Sequence, residues 1–214
     1  MISGRVRVVL DLVKSQELKG KTLVDVGSSS GWLENEIQNL GLKKIIGVEP
    51  SDKARRQAQR NVRGALFLKG SADSIPLKDS STDIVTLFDV IEHVPKGTEN
   101  SVFLEIKRIL VKGGILLLST PNSSAFDFLD PAWFFGHRHY SINKIKRMLL
   151  QSGFKVDRSE VKGKIWAYLY LIWLYVNKWI FAGVIPEIKW LEKKYDKDYL
   201  GKGFHTILLK AASI

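Results

Sequence analysis

Thr22-Leu23-Val24-Asp25-Val26-Gly27-Ser28-Ser29-Ser30-Gly31 is the stretch from which the rest of this chain is read. A short apolar strand, Thr22 to Val26, runs straight into a glycine- and serine-rich loop, and a helix begins at Gly31. Backbone N–H groups at a helix N-terminus then face whatever binds there, so a nucleotide-like ligand is expected. A dinucleotide fingerprint would need glycines at positions 27, 29 and 32. This chain has Ser29 and Trp32, and a Trp at the third position prevents close packing of helix on strand. The nicotinamide-dinucleotide reading is weakened accordingly.

Working outward, short apolar runs recur at Lys44 to Val48, Ala65 to Lys69, Asp83 to Phe88 and Ile115 to Ser119. They read as buried strands. Helical stretches lie between them at Gly31 to Leu40, Asp52 to Val62 and Asn100 to Leu110, and Ile2, Val6, Val9, Leu10 and Val13 mark an amphipathic N-terminal helix. A further helix starts at the N-cap Ser141 and is stopped by Gly153; a sixth strand follows from Phe154, and a last one, Phe204 to Leu209, is expected at the sheet edge. Strict alternation predicts an α/β fold with a mostly parallel sheet, right-handed crossovers, helices on both faces and a ligand beyond the carboxyl ends of the strands.

The 214 residues, 45% hydrophobic and 26% charged, predict one globular domain over residues 1–214. Zero Cys removes disulfides, thiolate zinc sites and cysteine nucleophiles together. Met1 to Lys21 lacks the apolar core of a secretory signal, which predicts a cytoplasmic protein. The formal charge of +11 favours anionic partners: nucleic acid, phospholipid headgroups or a phosphorylated metabolite. Glu49, closing the second strand, can accept hydrogen bonds from both hydroxyls of an unphosphorylated ribose; the alternative is a carboxylate capping the turn at Ser51.

Five segments in order carry a family resemblance: Val24 to Gly31, then Gly47-Val48-Glu49-Pro50-Ser51, then Gly70 to Pro76, then Phe88-Asp89-Val90-Ile91-Glu92-His93-Val94, then Lys112-Gly113-Gly114. Together they resemble a class I S-adenosylmethionine (SAM) dependent methyltransferase, of the branch that contains ubiquinone and menaquinone biosynthesis methyltransferases, over roughly residues 20 to 160. Ser29 departs from the pattern, since many members have glycine there. The resemblance implies a Rossmann-like, seven-stranded sheet whose last strand is antiparallel. It also implies that Gly27, Ser28 and Gly31 let the loop approach the methionine part of SAM, with Asp25 near its ammonium. Glu49 would hold the ribose, Pro50 and Ser51 would border the adenine, Ala72 and Asp73 would meet the adenine ring and its amine, and Asp89 would line the methionine end. Asp73 has an alternative as a turn cap before Pro76.

SAM already carries an activated methyl, so the protein needs chiefly to align a nucleophile and exclude water, and no metal is required. A hydroxyl or amine nucleophile needs a base, and His93 and His139 are the candidates. A metal bound by His137, His139, Asp127 and Asp130 is a weaker alternative. His205, within the expected edge strand, reads as structural.

Residues 163–202 read as an apolar helical insertion. Ile165 to Val176 are apolar without a break, and Trp179 to Ile185 resume after Asn177 and Lys178. The sixth strand should run parallel to the first five, which places the start of the insertion beside the active site. With Phe126, Phe128, Trp133, Phe134 and Phe135 it is expected to form an aromatic roof, a membrane contact at the inner membrane surface or a homodimer interface. The acceptor expected is small or lipid-linked and hydrophobic; a tRNA methyltransferase and a non-catalytic SAM-binding protein at a membrane surface are the alternatives.

Overall fold

The computed structural model describes residues 4–134, 136–180 and 188–214, with the side chains of 134 and 178–180 outside that description. Seven strands form one sheet: β1 Thr22–Val26, β2 Lys44–Val48, β3 Leu66–Leu68, β4 Thr82–Phe88, β5 Leu110–Pro121, β6 Phe154–Lys162 and β7 Thr206–Ser213. Their order across the sheet is β3-β2-β1-β4-β5-β7-β6. β3, β2, β1, β4 and β5 pair in parallel, while β7 is antiparallel to both β5 and β6. β6 therefore points the same way as the first five.

The helices are α1 Gly4–Lys14, α2 Trp32–Ile37, α3 Asp52–Asn61, α4 Glu99–Ile109, the single turn α5 Pro131–Phe134, α6 Ile142–Gln151, α7 Ile165–Ile180 and α8 Lys189–Asp198. Side-chain alternation in the central strands explains the two layers. Val24, Ile46, Val85 and Leu116 face Val102, Phe103 and Ile106 of α4 and Ile145 and Leu149 of α6. Leu23, Ile45, Ile84 and Leu117 face Leu10 and Val13 of α1 and Leu33 and Ile37 of α2. Ser141 accepts from Lys144 N as the N-cap of α6.

Three sequence expectations change. The last strand is interior, between β5 and β6, because it pairs on both sides; His205 is buried just before it rather than within an edge strand. The fifth strand extends from Leu110 to Pro121, since the C-cap of α4 passes directly into it. Lys112-Gly113-Gly114 lies in a register irregularity, where Thr82 and Ile84 stand opposite Leu110 and Ile115, and Gly113 takes φ +76°.

Candidate active site

The loop after β1 is shaped by three positive-φ residues, Gly27 (84°), Ser29 (49°) and Gly31 (81°). A Cβ on Gly27 would stand 2.3 Å from Cγ2 of Val90, so glycine is required there both by φ and by the neighbouring wall. Gly27 and Ser28 donate their N–H groups to Val48 O, which pins the loop to the end of β2. Glu49 completes the junction: Oε2 accepts from Ser29 N at 3.0 Å and Oε1 from Ser51 N at 2.8 Å. The turn-capping contact of Glu49 is thus present, and each carboxylate oxygen keeps a further lone pair after accepting its backbone hydrogen bond.

Beyond the carboxyl ends of β1, β2 and β4 lies a cavity of about 410 Å³. Of the residues singled out by sequence, Gly27, Glu49, Pro50, Ala72, Asp73 and Asp89 line it, and His93 stands on its wall with Val94 and Pro95. Asp73 accepts from Ser71 Oγ at 2.6 Å within the turn formed by Ser71 and Ser74, so it serves the turn and the cavity together. Asp89 is held at φ +55°, with its Oδ1 accepting from Ser119 Oγ at 3.1 Å.

The other candidates lie elsewhere. Gly31 is the N-cap of α2, and a Cβ there would press on Ala58, Val62 and Phe67 at 3.1 Å, so its glycine serves packing against α3 and β3. Ser51 N-caps α3 by accepting from Ala54 N. Ser28 and Asp25 are buried beneath the loop, off the cavity wall. His139 is not at the cavity: its Nε2 meets Asp130 Oδ2 at 3.1 Å and its Nδ1 lies 3.0 Å from Asp127 Oδ1. Burial opposes the charge on His139, but the two carboxylates win and raise its pKa. An imidazole flanked by two carboxylates in that way braces the loop after β5, away from the cavity.

Acidic groups cluster below the cavity. Burial pushes Asp25 up to about 7 against a hydrogen bond from Thr86 Oγ1, with Glu49 adding to the rise. Burial and Asp25 push Glu34 up to about 9, and both of its oxygens lack a hydrogen-bond partner. Burial and Asp89 push Glu92 up to about 8, although Thr120 Oγ1 donates to it at 3.0 Å. His93 moves the other way: burial lowers its pKa, and so does His137, whose ring meets it edge-on at 4.3 Å. A neutral imidazole therefore borders the cavity.

Sequence reasoning missed Arg5. Its Nε forms an ion pair with Asp89 Oδ2 at 3.3 Å, joining α1 to the cavity wall. α1 is in turn held by α8, where Asp196 accepts from Gly4 N at 2.5 Å and from Arg7 Nη2 at 3.1 Å, and Tyr195 OH accepts from Arg5 N at 3.3 Å. No local pattern marks Arg5, because its partner is 84 positions away in sequence; only the fold brings them together. Val90, Val94 and Pro95 were also missed as wall residues, although Val90 and Val94 stand in the quoted Phe88 to Val94 segment.

The aromatic roof takes a different form from the one expected. Among the described residues, none of 163–202 lines the cavity, whose walls all come from residues 26–95. Within the insertion Tyr170 of α7 stacks on Tyr195 of α8 at 4.3 Å; the insertion packs on α1 through Val8 and on the loop after β5, where Tyr168 approaches Phe126 at 6.4 Å and shares a hydrogen bond with Ser124 Oγ at 2.9 Å. α1, rather than α7, stands against Asp89. Phe135 and the side chain of Phe134 lie outside the described residues, as do 181–187.

The donor set suits SAM. Glu49 can still accept from vicinal hydroxyls, Asp73 presents a carboxylate to an amine, Asp89 offers a carboxylate for an ammonium, and the Gly27 backbone leaves the wall open where a Cβ would not fit. A family model described as a methyltransferase domain matches residues 24–118. An uncharacterized methyltransferase of Mycobacteroides abscessus is 32% identical over 122 residues, covering 53% of this chain and 46% of that protein. A Mycolicibacterium smegmatis protein described as "Probable S-adenosylmethionine-dependent methyltransferase" is 26% identical over 143 residues, 64% of this chain and 53% of its own. The chain thus spans about half the length of the curated relatives it matches. A solved SAM-dependent methyltransferase from Methanosarcina mazei superposes with a TM-score of 0.67 at 16% identity, over 95% of this chain and 97% of that one, a likeness of fold. Sequence motifs, sheet order and family match agree: residues 24–118 are similar to a methyltransferase domain, and S-adenosylmethionine, the cofactor that this likeness implies, suits the donor set of the cavity.

Proposed function

We propose that the protein transfers the methyl group of SAM to a small or lipid-linked, hydrophobic acceptor. The observation that carries this reading is the single cavity wall on which Glu49, Asp73 and Asp89 stand with the apolar Val90, Val94 and Pro95 and the neutral His93. SAM, when bound, supplies an electrophilic methyl group. The chain's own part is to hold and to deprotonate. Glu49 would accept from the ribose hydroxyls, and Asp73 from the adenine amine. Asp89, fixed by Ser119 and Arg5, would meet the ammonium, and Asp25 below it would add negative potential when ionised. His93 Nδ1 or Nε2 takes the proton of a hydroxyl or amine acceptor, which its lowered pKa permits at neutral pH. The resemblance to the quinone branch and the apolar insertion favour a hydrophobic acceptor.

Calorimetry with SAM tests the cofactor assignment: Glu49→Ala weakens binding by about 1.5–3 kcal/mol, the range for hydrogen bonds to a charged group. Unchanged affinity removes Glu49 from the ribose. Assays for S-adenosylhomocysteine formation on quinols, glycolipid precursors and tRNA then test the acceptor, with turnover expected on the apolar compounds. With such an acceptor, His93→Gln lowers kcat about 10²–10⁴-fold while leaving SAM affinity nearly constant. Turnover on tRNA alone overturns the acceptor class without touching the cofactor assignment.

A further inference from the structure

The outward face of α7 has the wrong chemistry for water. In a surface helix the inner stripe is apolar and the outer stripe polar. Ala167, Tyr168 and Asn177 are the buried residues of α7, so they mark its inner side. On the outer side Ile165, Leu169, Ile172 and Val176 follow at spacings of four, three and four, and all are exposed or half-exposed. Residues 165–176 contain no charge. The patch continues onto the loop after β5 and onto α8: Phe128 is 59% exposed, Trp133 46% and Trp190 61%. Single exposed apolar residues are ordinary, but a contiguous set on adjoining elements marks an interaction surface.

Cationic side chains stand just before α7, along α8 and just after it. Lys164, Lys189, Lys193, Lys194, Lys197 and Lys202 are exposed, and none of them forms an ion pair among the described residues. Two nearby acids are turned inward, Asp196 serving Gly4 and Arg7 and Asp198 accepting from Lys164 N and Ala167 N at the start of α7, while Glu192 stands half-exposed among the lysines of α8. Lys194 lies 5.5 Å from the ring of Trp166, which itself meets Trp190 edge-on at 6.0 Å. Indole rings beside lysine ammoniums have the amphipathic character of a lipid interface.

We propose that this face docks on an anionic phospholipid bilayer, with the stripe from Ile165 to Val176 entering the boundary between headgroups and acyl chains and the lysines among the phosphates. Charge complementarity favours lipid, since a formal charge of +11 on the chain and these lysines call for a densely anionic surface. α7 lies in the interface rather than crossing it: its 16 residues rise about 24 Å, against a hydrocarbon core of about 30 Å, and no helix among the described residues is long and apolar enough to span. α7 also begins at the carboxyl end of β6, the end of the sheet at which the cavity opens. Docking is independent of methyl transfer and is read without it.

Flotation of the full chain with vesicles tests the proposal. Vesicles of about 30% phosphatidylglycerol in phosphatidylcholine bind it at least about ten-fold more tightly than pure phosphatidylcholine, and raising salt from about 0.1 to 0.5 M weakens that binding. Leu169→Asp with Val176→Asp lowers anionic-vesicle binding about ten-fold or more, with melting temperature and SAM affinity retained. Lys193→Glu with Lys197→Glu, both fully on the surface, removes the preference for anionic lipid. Failure of the wild-type chain to float with anionic vesicles, or flotation of both double variants equal to that of wild type, overturns the proposal. A dimer in sedimentation velocity that Leu169→Asp dissociates, without vesicle binding, also overturns it and assigns the face to a second copy.

Discussion

Ser29 stands where the left-handed backbone would suit glycine, at φ +49°, yet its N–H donates to Glu49. A non-glycine residue in that region carries a strain of about 1–2 kcal/mol, partly offset by the extra unfolded-state freedom glycine would have. Ser29→Gly is therefore expected to stabilise the protein by up to about 1 kcal/mol and to leave SAM affinity within a few-fold, because the donor is backbone. Thermal denaturation and calorimetry on the same preparations check both parts; a destabilised variant would mean that the serine hydroxyl does something no contact here explains. Gly27, Glu49, Asp73 and Asp89 were legible from sequence because each follows a strand end in a fixed order. Gly31 and Ser51 were legible as positions but not as roles: a glycine that frees a ligand and one that frees a neighbouring helix look alike until Ala58, Val62 and Phe67 are packed against it.

At the scale of elements, α2 carries a buried acid into the layer beneath the loop. Glu34 is held protonated up to about pH 9, whereas a glutamate in the unfolded chain titrates near about 4.3. The folded state thus keeps a proton that the unfolded state releases, so this stabilisation is complete below about pH 4 and is lost as pH rises through 9. Asp25, raised to about 7, and Glu92, raised to about 8, act with the same sign. The cofactor-free protein should accordingly melt at a lower temperature at about pH 9 than at about pH 6, and Glu34→Gln, which releases no proton on unfolding, should shrink that difference. Identical slopes in the two proteins, followed by scanning calorimetry, would relocate the titration to other groups. β1, β2, β4 and their helices were readable because buried parallel strands are continuous apolar runs. The interior place of β7 was not, since alternation in one strand does not reveal how many neighbours it has.

For the molecule as a whole, cofactor and insertion are separable in space. The cavity is walled by residues 26–95, and among the described residues the insertion meets that wall through intermediaries, α1 with its Arg5–Asp89 pair and the loop after β5, whose His137 touches His93. Replacing Gly163 to Lys202 by a short Gly-Ser connector is expected to keep SAM affinity within a few-fold and to abolish turnover of a hydrophobic acceptor. Loss of SAM binding in a variant that still melts cooperatively would instead make α8, through Tyr195 and Asp196, a part of the cofactor site. The sequence placed the insertion at the correct sheet end but could not show that an N-terminal helix intervenes, because that contact joins residues at opposite ends of the chain.

Lys162 at the end of β6 pairs directly with Thr206 at the start of β7. Residues 163–205 are therefore, topologically, the turn of one oversized hairpin: they leave and re-enter the sheet through a doorway one residue pair wide. A segment tethered in this way can lengthen, shorten or be exchanged without altering the register of any other strand. Natural variation in this segment, and deliberate grafting of a new recognition segment, would both find their path of least resistance there.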